Sequence, residues 1–584
     1  HCRRSRSGSS KFERDKELGQ RTKFCRGLSS YLSIVHYNPM IFLTTILISM
    51  FITIVLIPIL RLLAFRMNIL DVPDSRKAHV TPIPKSGGIA VVLGAILPVL
   101  FWAPIDNQVW AILIGVGILF VFGLLDDVKN LNYKIKFAAQ LAAALVVILY
   151  GGINIKSLGM LMPDNFLLPD LVAIPLTVVV IIGVTNAINL ADGLDGLAGG
   201  ICLFSFICIG YLAYQSENIA FALVAVGVAG ALFGFLRFNT HPAVLFMGDT
   251  GSQFLGFIMI SLALGLTQGN TPYSSMLPLL LVGFPILDTL TVMTERITSG
   301  KPPFIADKNH FHHKLMRLNL SHTEAVFSLY FFQAFLVTSA YLFRFYSEWF
   351  LLILYLIFSI LIILGFIVTD RSGWKIEREF SFKKLLQEKL VVLGKSNLPI
   401  KICFKIVEYG IPLILIFTSL LAANTPDYFA YFSLGLIALI LATRLSGRIR
   451  NVGGLRLVLY LFIPFSVYLA NANQSERLAG WFLTTYNSSF LFIAIFTVLT
   501  LILSRRDGFK ATPMDFIILF VALIVPNLPD FQIQNYQMGL VAAKIIVLFF
   551  GYDILLGELR GELKKVEILT LIAMVFVVVK GFIL

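Results

Sequence analysis

Two aspartates stand side by side, Asp126 and Asp127, in the run Gly-Leu-Leu-Asp-Asp-Val-Lys. Adjacent carboxylates repel and are costly to desolvate, so they persist most readily where a cation binds or a proton is taken. A solvated helix end is the competing reading. Further along, Asn186, Asn189, Asp192 and Asp195 recur at intervals of three before a glycine-rich stretch ending at Gly200. On a helix such neighbours lie near one face, and the glycines permit a helix break and close approach of a ligand to backbone. A third group runs from Arg237, Phe238 and Asn239 to Phe246-Met-Gly-Asp249-Thr-Gly-Ser252. Glycines on both sides of Asp249 free backbone N–H groups to face an anion while the carboxylate faces a cation; a plain tight turn would look the same. The fourth group sets His310, His312 and His313 among Arg296, Lys301, Lys308 and Lys314. Zinc sites on helices prefer histidines at i,i+4 and a cationic setting repels a metal, so phosphate binding fits better. Lastly, Arg76, Lys77, His79 and Lys85 share a loop shaped by Pro82, Pro84, Gly87 and Gly88. They suit lipid headgroups or a phosphorylated ligand, although charge retention on one side of a membrane explains part of the signal.

The chemistry follows from the set. Carboxylates and amides suit magnesium, which takes oxygen ligands and often bridges to phosphates. Cationic side chains suit the phosphates themselves. The reaction class that uses both is phosphoryl transfer, driven by positioning and charge neutralisation. No Ser-His-Asp or Cys-His arrangement stands out, and the missing Walker A loop disfavours an ATPase.

The elements that must hold these groups are apolar. Of 584 residues, 57% are hydrophobic and only 14% charged, against about 25% charged in soluble domains. That excludes a soluble enzyme and a disordered chain, and it predicts an all-α, polytopic membrane protein, since backbone inside lipid must satisfy itself. We read about 18 transmembrane helices, about 11 between residues 40 and 369 and about 7 between 402 and 584, with a basic junction at 370–401. Stretches 274–293 and 513–528 are each read as one span. Alternation places 64–86, 126–133, 189–197, 237–251 and 294–323 on one side together with most Lys and Arg, which makes that side cytoplasmic. Residues 1–39 carry nine basic residues and no apolar core before Leu28. They are not a signal peptide. Alternation puts them on the side where basic residues are unwelcome, which favours a native start at Met40 over a basic tail. The net charge of +14 is thus topological; with no basic face or recognised module, nucleic acid is not a partner. Five scattered cysteines without a C-x-x-C pair indicate neither disulfides nor a zinc ribbon.

The ordered motifs resemble the polyprenyl-phosphate N-acetylhexosamine-1-phosphate transferase family, in the superfamily of phospho-N-acetylmuramoyl-pentapeptide transferase. They are Arg76-Lys77-x-His79-x-x-Pro82-x-Pro84 with Gly87-Gly88; Asp126-Asp127 with Lys136 and Gln140; Asn186-x-x-Asn189-x-x-Asp192-Gly-x-Asp195-Gly; Asn239-x-x-Pro242 to Phe246-Met-Gly-Asp249-x-Gly-Ser252; Pro285-Ile-x-Asp288; and Asp307-x-x-His310-x-His312-His313. Phe311 interrupts the histidines, which favours the hexosamine branch over the muramoyl-pentapeptide branch. The resemblance implies transfer of N-acetylhexosamine-1-phosphate, GlcNAc-1-phosphate foremost, from a UDP-sugar to undecaprenyl or another polyprenyl phosphate. The products would be polyprenyl-diphosphate-sugar and UMP, in the first membrane step of an envelope polysaccharide. It implies magnesium, with manganese as a substitute, a site on the cytoplasmic face of a bacterial inner membrane, and allows a homodimer. By the same resemblance Asp249 is the principal metal ligand, with Asn189 near it. Asp126 and Asp127 position metal or lipid phosphate, one of them as base if a base is needed. Asn186, Asn189, Asp192 and Asp195 line the nucleotide and metal region, Asn239 and Phe246 hold the uracil, and Lys77, His79, Lys136, His310, His312 and His313 meet diphosphate or sugar. The last motif ends at His313 and the part that resembles the family ends near Thr369; the helices of 402–584 carry no comparable cluster. A transporter of lipid-linked sugars is the competing class, but a transport path needs polar residues through the membrane depth.

Overall fold

The computed structural model describes residues 40–71, 82–163, 166–269, 271–302, 309–375, 398–422, 425–445, 452–472, 480–503, 538–558 and 564–583. Lys77, His79, the stretch 513–528 and residues 1–39 lie outside the described residues.

The described chain is helical apart from a two-stranded antiparallel ribbon, β1 (Leu70–Asp71) and β2 (Ile83–Pro84). Its helices are α1 (Met40–Met67), α2 (Gly87–Trp102), α3 (Asn107–Lys129), α4 (Tyr133–Leu145, continued by a π turn Val146–Tyr150), α5 (Asp170–Ala191), α6 (Leu197–Gln215), α7 (Ile219–Asn239) and α8 (Gly248–Thr267). Then follow α9 (Leu277–Leu281), α10 (Gly283–Thr298), α11 (Phe311–Arg317), α12 (His322–Leu342), α13 (Glu348–Ser372), α14 (Leu398–Leu421), α15 (Asp427–Leu445), α16 (Val452–Ala472), α17 (Gly480–Leu503), α18 (Met538–Glu558) and α19 (Lys564–Ile583). Among the described residues, eleven helices are long and apolar enough to cross a membrane, so this is a multi-pass membrane chain. Buried apolar side chains form two clusters, one drawn from Ile57 to Phe366 and one from Val407 to Val577.

One expected span is not a single helix. Stretch 274–293 breaks at Val282 into α9 and α10. Pro285 has no N–H to give the Leu281 carbonyl, and its ring crowds that carbonyl. The carbonyl is instead taken by Ser205 Oγ at 2.7 Å and Gln333 Nε2 at 2.8 Å, while Gly283 O accepts from Tyr355 O–H at 3.0 Å. A break at membrane depth is tolerated when neighbours satisfy the freed backbone in this way.

Helix α8 is the centre of the first cluster: every residue from Thr250 to Thr267 is buried, with α2, α3, α5 and α6 packed around it. Small residues permit this. A Cβ on Gly88 would sit 2.3 Å from Gly251 N, and one on Gly123 would sit 2.7 Å from Thr250 Cα. Glycine at these crossings lets backbones approach closely, the usual device where helices pack in lipid. The N-terminal end of α8 is thereby pressed against α3 one turn before Asp126-Asp127.

Candidate active site

Four helix ends meet: the C-terminal turns of α3 and α5 and the N-terminal turns of α4 and α8. Helix α3 begins on an Asp106 cap, whose carboxylate accepts Val109 N–H at 2.8 Å, and ends where Asn130 turns left-handed at φ 49°. This register puts Asp126 and Asp127 in its last turn.

The two neighbours face different partners. Asp126 is buried; its Oδ1 accepts Leu131 N–H at 2.7 Å and its Oδ2 lies 2.5 Å from Lys136 Nζ. Lys136 Nζ also lies 2.9 Å from Asp249 Oδ2, and the Asp126 and Asp249 carboxylates are within hydrogen-bond reach of each other. Asp127 instead caps α8. Its Oδ1 accepts Asp249 N–H at 2.9 Å, and its Oδ2 accepts Thr250 N–H at 3.1 Å and Thr250 Oγ1–H at 2.5 Å. A carboxylate at a helix N-terminus satisfies orphan donors and meets the positive end of the dipole. Gly248 makes room for it: its φ is 70°, and a Cβ there would lie 2.7 Å from both Asp127 carboxylate oxygens.

Helix α5 adds an amide row. Asn186 Nδ2 donates to Gln140 Oε1 at 2.9 Å, and Gln140 Nε2 reaches Gln253 Oε1 at 3.2 Å. Ser252 Oγ–H donates to Asn189 Oδ1 at 2.7 Å, which sets Asn189 beside α8 one turn from Asp249. Asp192, at the end of α5, has its pKa pushed up to about 7, first by burial and then by the fields of Asp249, Asp195 and Asp127. Lys85 pairs with Asp71 at 2.9 Å; burial lowers its pKa, but Asp71, with Asp127 and Asp249 further off, outweighs burial and leaves it raised.

Asp192 carries a testable sign. Its folded pKa is above the unfolded value, so the folded state binds more protons between pH 4 and 7 and stability falls as pH rises through that window. In chelator, Asp192→Asn should be more thermostable than the parent at pH 8, the gap closing towards pH 4. A melting profile with no pH-dependent gap would refute the reading.

Asp195 and Asn239 act as clasps. Asp195 Oδ2 accepts His241 Nδ1–H at 2.7 Å and Ala243 N–H at 3.1 Å, and Asp195 N–H donates to His322 Nε2 at 3.2 Å. Asp195, His241 and His322 are close enough for a metal. However, the two rings stack at 4.2 Å and 19°, so their lone pairs run side by side instead of converging, and the lone pair of His322 Nε2 already accepts the Asp195 N–H hydrogen bond. Buried Asn239 accepts Gly196 N–H at 2.9 Å and donates to Leu245 O at 2.9 Å. Together they tie the loop carrying half-buried Phe246 to the Asp192–Asp195 turn. Phe246 itself is anchored through backbone, N–H to Pro84 O at 2.8 Å and O from Gly87 N–H at 2.9 Å.

The histidines differ among themselves. His310 Nδ1 bonds Asp288 Oδ2 at 2.9 Å. His312 is buried, and its ring packs on Gly193: a Cβ there would lie 2.8 Å from Nε2. Burial and then the His313 charge push its pKa down to about 3, so it stays neutral. His313 is half-buried beside it, with ring centroids 4.1 Å apart. The His312–Gly193 contact brings the histidine segment to the Asp192 turn.

Sequence reasoning gave no role to Thr250, Gln253 or Asp288. Gln253 lies four residues after Asp249, and that helical spacing was a readable signal. Asp288 stood in the Pro285-Ile-x-Asp288 motif without a role, and Thr250 had no helical-spacing signal; the partners of both are remote in sequence.

The donor set fits magnesium. It is all oxygen, and Oδ2 of Asp126 and Oδ2 of Asp249 already converge on one cationic atom, Lys136 Nζ, with Asn189 Oδ1 fixed nearby.

The model for glycosyl transferase family 4 matches residues 109–267, the segment from α3 to α8 that builds this end. The "Probable undecaprenyl-phosphate N-acetylglucosaminyl 1-phosphate transferase" of Bacillus subtilis (strain 168) is 35% identical over 348 residues, covering 58% of this chain and 94% of that protein. The undecaprenyl-phosphate alpha-N-acetylglucosaminyl 1-phosphate transferase of Escherichia coli (strain K12) is 30% identical over 330 residues, 54% of this chain and 88% of that protein. The decaprenyl-phosphate N-acetylglucosaminephosphotransferase of Mycolicibacterium smegmatis (strain ATCC 700084 / mc(2)155) is 32% identical over 310 residues, 46% and 74% respectively. With 94% of the Bacillus subtilis relative covered at 35% identity and its ionic cluster inside the matched segment, the chain belongs to glycosyl transferase family 4, among the polyprenyl-phosphate N-acetylhexosamine-1-phosphate transferases.

Proposed function

We propose that the chain transfers N-acetylglucosamine-1-phosphate from UDP-N-acetylglucosamine to polyprenyl phosphate, releasing UMP, with magnesium, at the cytoplasmic face of a bacterial inner membrane. The observation that carries the reading is the meeting of Asp126, Asp249 and Lys136 at one end of the bundle, with Asp127 fixing the backbone of Asp249. Polar groups gathered at one end suit chemistry at a membrane face better than a transport path.

In the reaction, an oxygen of the lipid phosphate attacks the phosphorus that bears the sugar. The bond from that phosphorus to the UMP oxygen breaks, and UMP leaves with the electron pair. A phosphate monoester with a second pKa near 6 is mostly a dianion at pH 7, so no proton need be removed first. Asp126, Asp249 and Asn189 would hold magnesium, which supplies charge neutralisation on the diphosphate when bound. Lys136 and Lys85 bring positive charge to the same end, and the histidine segment reaches the neighbouring Asp192 turn through His312 against Gly193. Phe246 offers a ring to the uracil. The transferase unit spans 40–369, 370–401 is a junction, and 402–584 is a helical extension that brings the total to about 18 spans; a dimer is compatible.

The direct test is membranes containing the protein, radiolabelled UDP-N-acetylglucosamine, polyprenyl phosphate and magnesium, with UMP and lipid-linked sugar followed together. Neither product above background would refute the proposal. Phe246→Ala should raise KM for the UDP-sugar about 5- to 100-fold with kcat little changed, since stacking on a base is worth about 1–3 kcal/mol. A fall in kcat at constant KM would mean that the ring packs the fold instead.

A further inference from the structure

His310 and Asp288 form a buried pair whose partners come from two different helices. Asp288 sits in α10, one turn after Pro285, and His310 immediately precedes α11. Their side chains are 7% and 9% exposed, and His310 Nδ1 lies 2.9 Å from Asp288 Oδ2. The other carboxylate oxygen, Oδ1, accepts Phe311 N–H at 2.8 Å. One carboxylate thus fixes both the imidazole and the backbone that carries it. With Nδ1 engaged, Nε2 is the nitrogen left for chemistry, and among the described residues it has no hydrogen-bond partner.

We propose that Asp288 is a positioning residue of the transferase site: it holds His310 with Nδ1–H turned inward, so that Nε2 is the nitrogen presented to a substrate phosphate. This rests on the transferase reading above. The physical case is that a carboxylate on one ring nitrogen fixes the tautomer and the orientation of the ring, and here the same carboxylate also fixes the backbone that carries the ring. His312 cannot take this task, because its Nε2 is packed against Gly193. Lys314, in the same short helix, is drawn to Glu295 and lies over the Phe311 ring.

The groups facing His310 are Asp288 from α10, and His312, stacked at 5.7 Å, with His313 from α11; His322 of α12 acts on His312 beyond them. All but Asp288 are unchanged in Asp288→Asn, which keeps the shape of the side chain and an oxygen for Phe311 N–H. The full-length protein is assayed in membranes. Asp288→Asn, whose NH2 would face Nδ1 and so reverse the tautomer, is expected to lower kcat/KM about 10- to 100-fold. His310→Gln should lose at least as much, and the double variant should be no worse than His310→Gln. Asp288→Glu, which keeps a carboxylate acceptor for Nδ1–H, should restore kcat/KM to within about threefold of wild type and serves as the test if Asp288→Asn fails to accumulate. Additive single losses, or an Asp288→Glu variant as slow as Asp288→Asn, would each overturn the proposal. Wild-type membranes without UMP release would overturn the transferase reading instead.

Discussion

Asp249→Asn should leave a protein that inserts normally and turns over about 1,000-fold more slowly or worse at ordinary magnesium. Asp249 is the one carboxylate of the group that stands in the first turn of α8 and remains partly exposed, at 29% of its side chain. The amide keeps the volume and one oxygen, so packing survives. What goes is one negative charge facing Lys136 and, on the proposed reading, magnesium. Losing a metal-ligand charge costs several kcal/mol of transition-state stabilisation, and each 1.36 kcal/mol is tenfold in rate. High magnesium should recover a small part of the loss. The check is initial rate of UMP release against magnesium concentration, normalised to protein in the membrane. Rates within tenfold of wild type would remove Asp249 from the metal site.

How much of this was legible in the sequence depends on how far apart the partners lie. The helical, multi-pass architecture follows from the apolar runs alone, because a bilayer leaves few alternatives. Asp126, Asp249, Asn189 and Lys136 were readable as a group from residue type and motif order. Their mutual contacts were not, since Lys136 and Asp249 are 113 positions apart. The break at Val282 was missed although Pro285 is visible: proline inside an apolar run predicts a kink, but whether the helix stops depends on Ser205 and Gln333 being there to take the freed Leu281 carbonyl. Asn239 and Asp195 illustrate the opposite difficulty. Polar residues near a binding loop read equally well as ligand contacts or as clasps on that loop, and only their partners, Gly196, Leu245, His241 and Ala243, show the clasp.

Asp127 poses the same question with a larger expected effect. Read from sequence, Asp126 and Asp127 are interchangeable, but both oxygens of Asp127 are engaged by donors of α8, at Asp249 N–H, Thr250 N–H and Thr250 Oγ1–H. An asparagine there must turn an NH2 towards one of those N–H groups, and two donors cannot bond each other. The first turn of α8 then shifts, and Asp249 moves with it. A displacement of about 1 Å at a reacting centre can cost about 100-fold, so Asp127→Asn is expected to lose about 100- to 1,000-fold in kcat. Because the damage passes through Asp249, the variant should also need more magnesium, and the double variant Asp127→Asn with Asp249→Asn should be scarcely slower than Asp249→Asn alone. Thr250→Ala removes one of the three bonds and keeps both backbone donors, so its loss should be about tenfold. A base acting directly on the lipid phosphate would behave differently. Asp127→Asn would then leave the magnesium dependence unchanged and Thr250→Ala would have almost no effect. Kinetics of the three variants across a magnesium series decide between the two roles, and an unchanged magnesium requirement in Asp127→Asn would exclude the capping role argued from the hydrogen bonds.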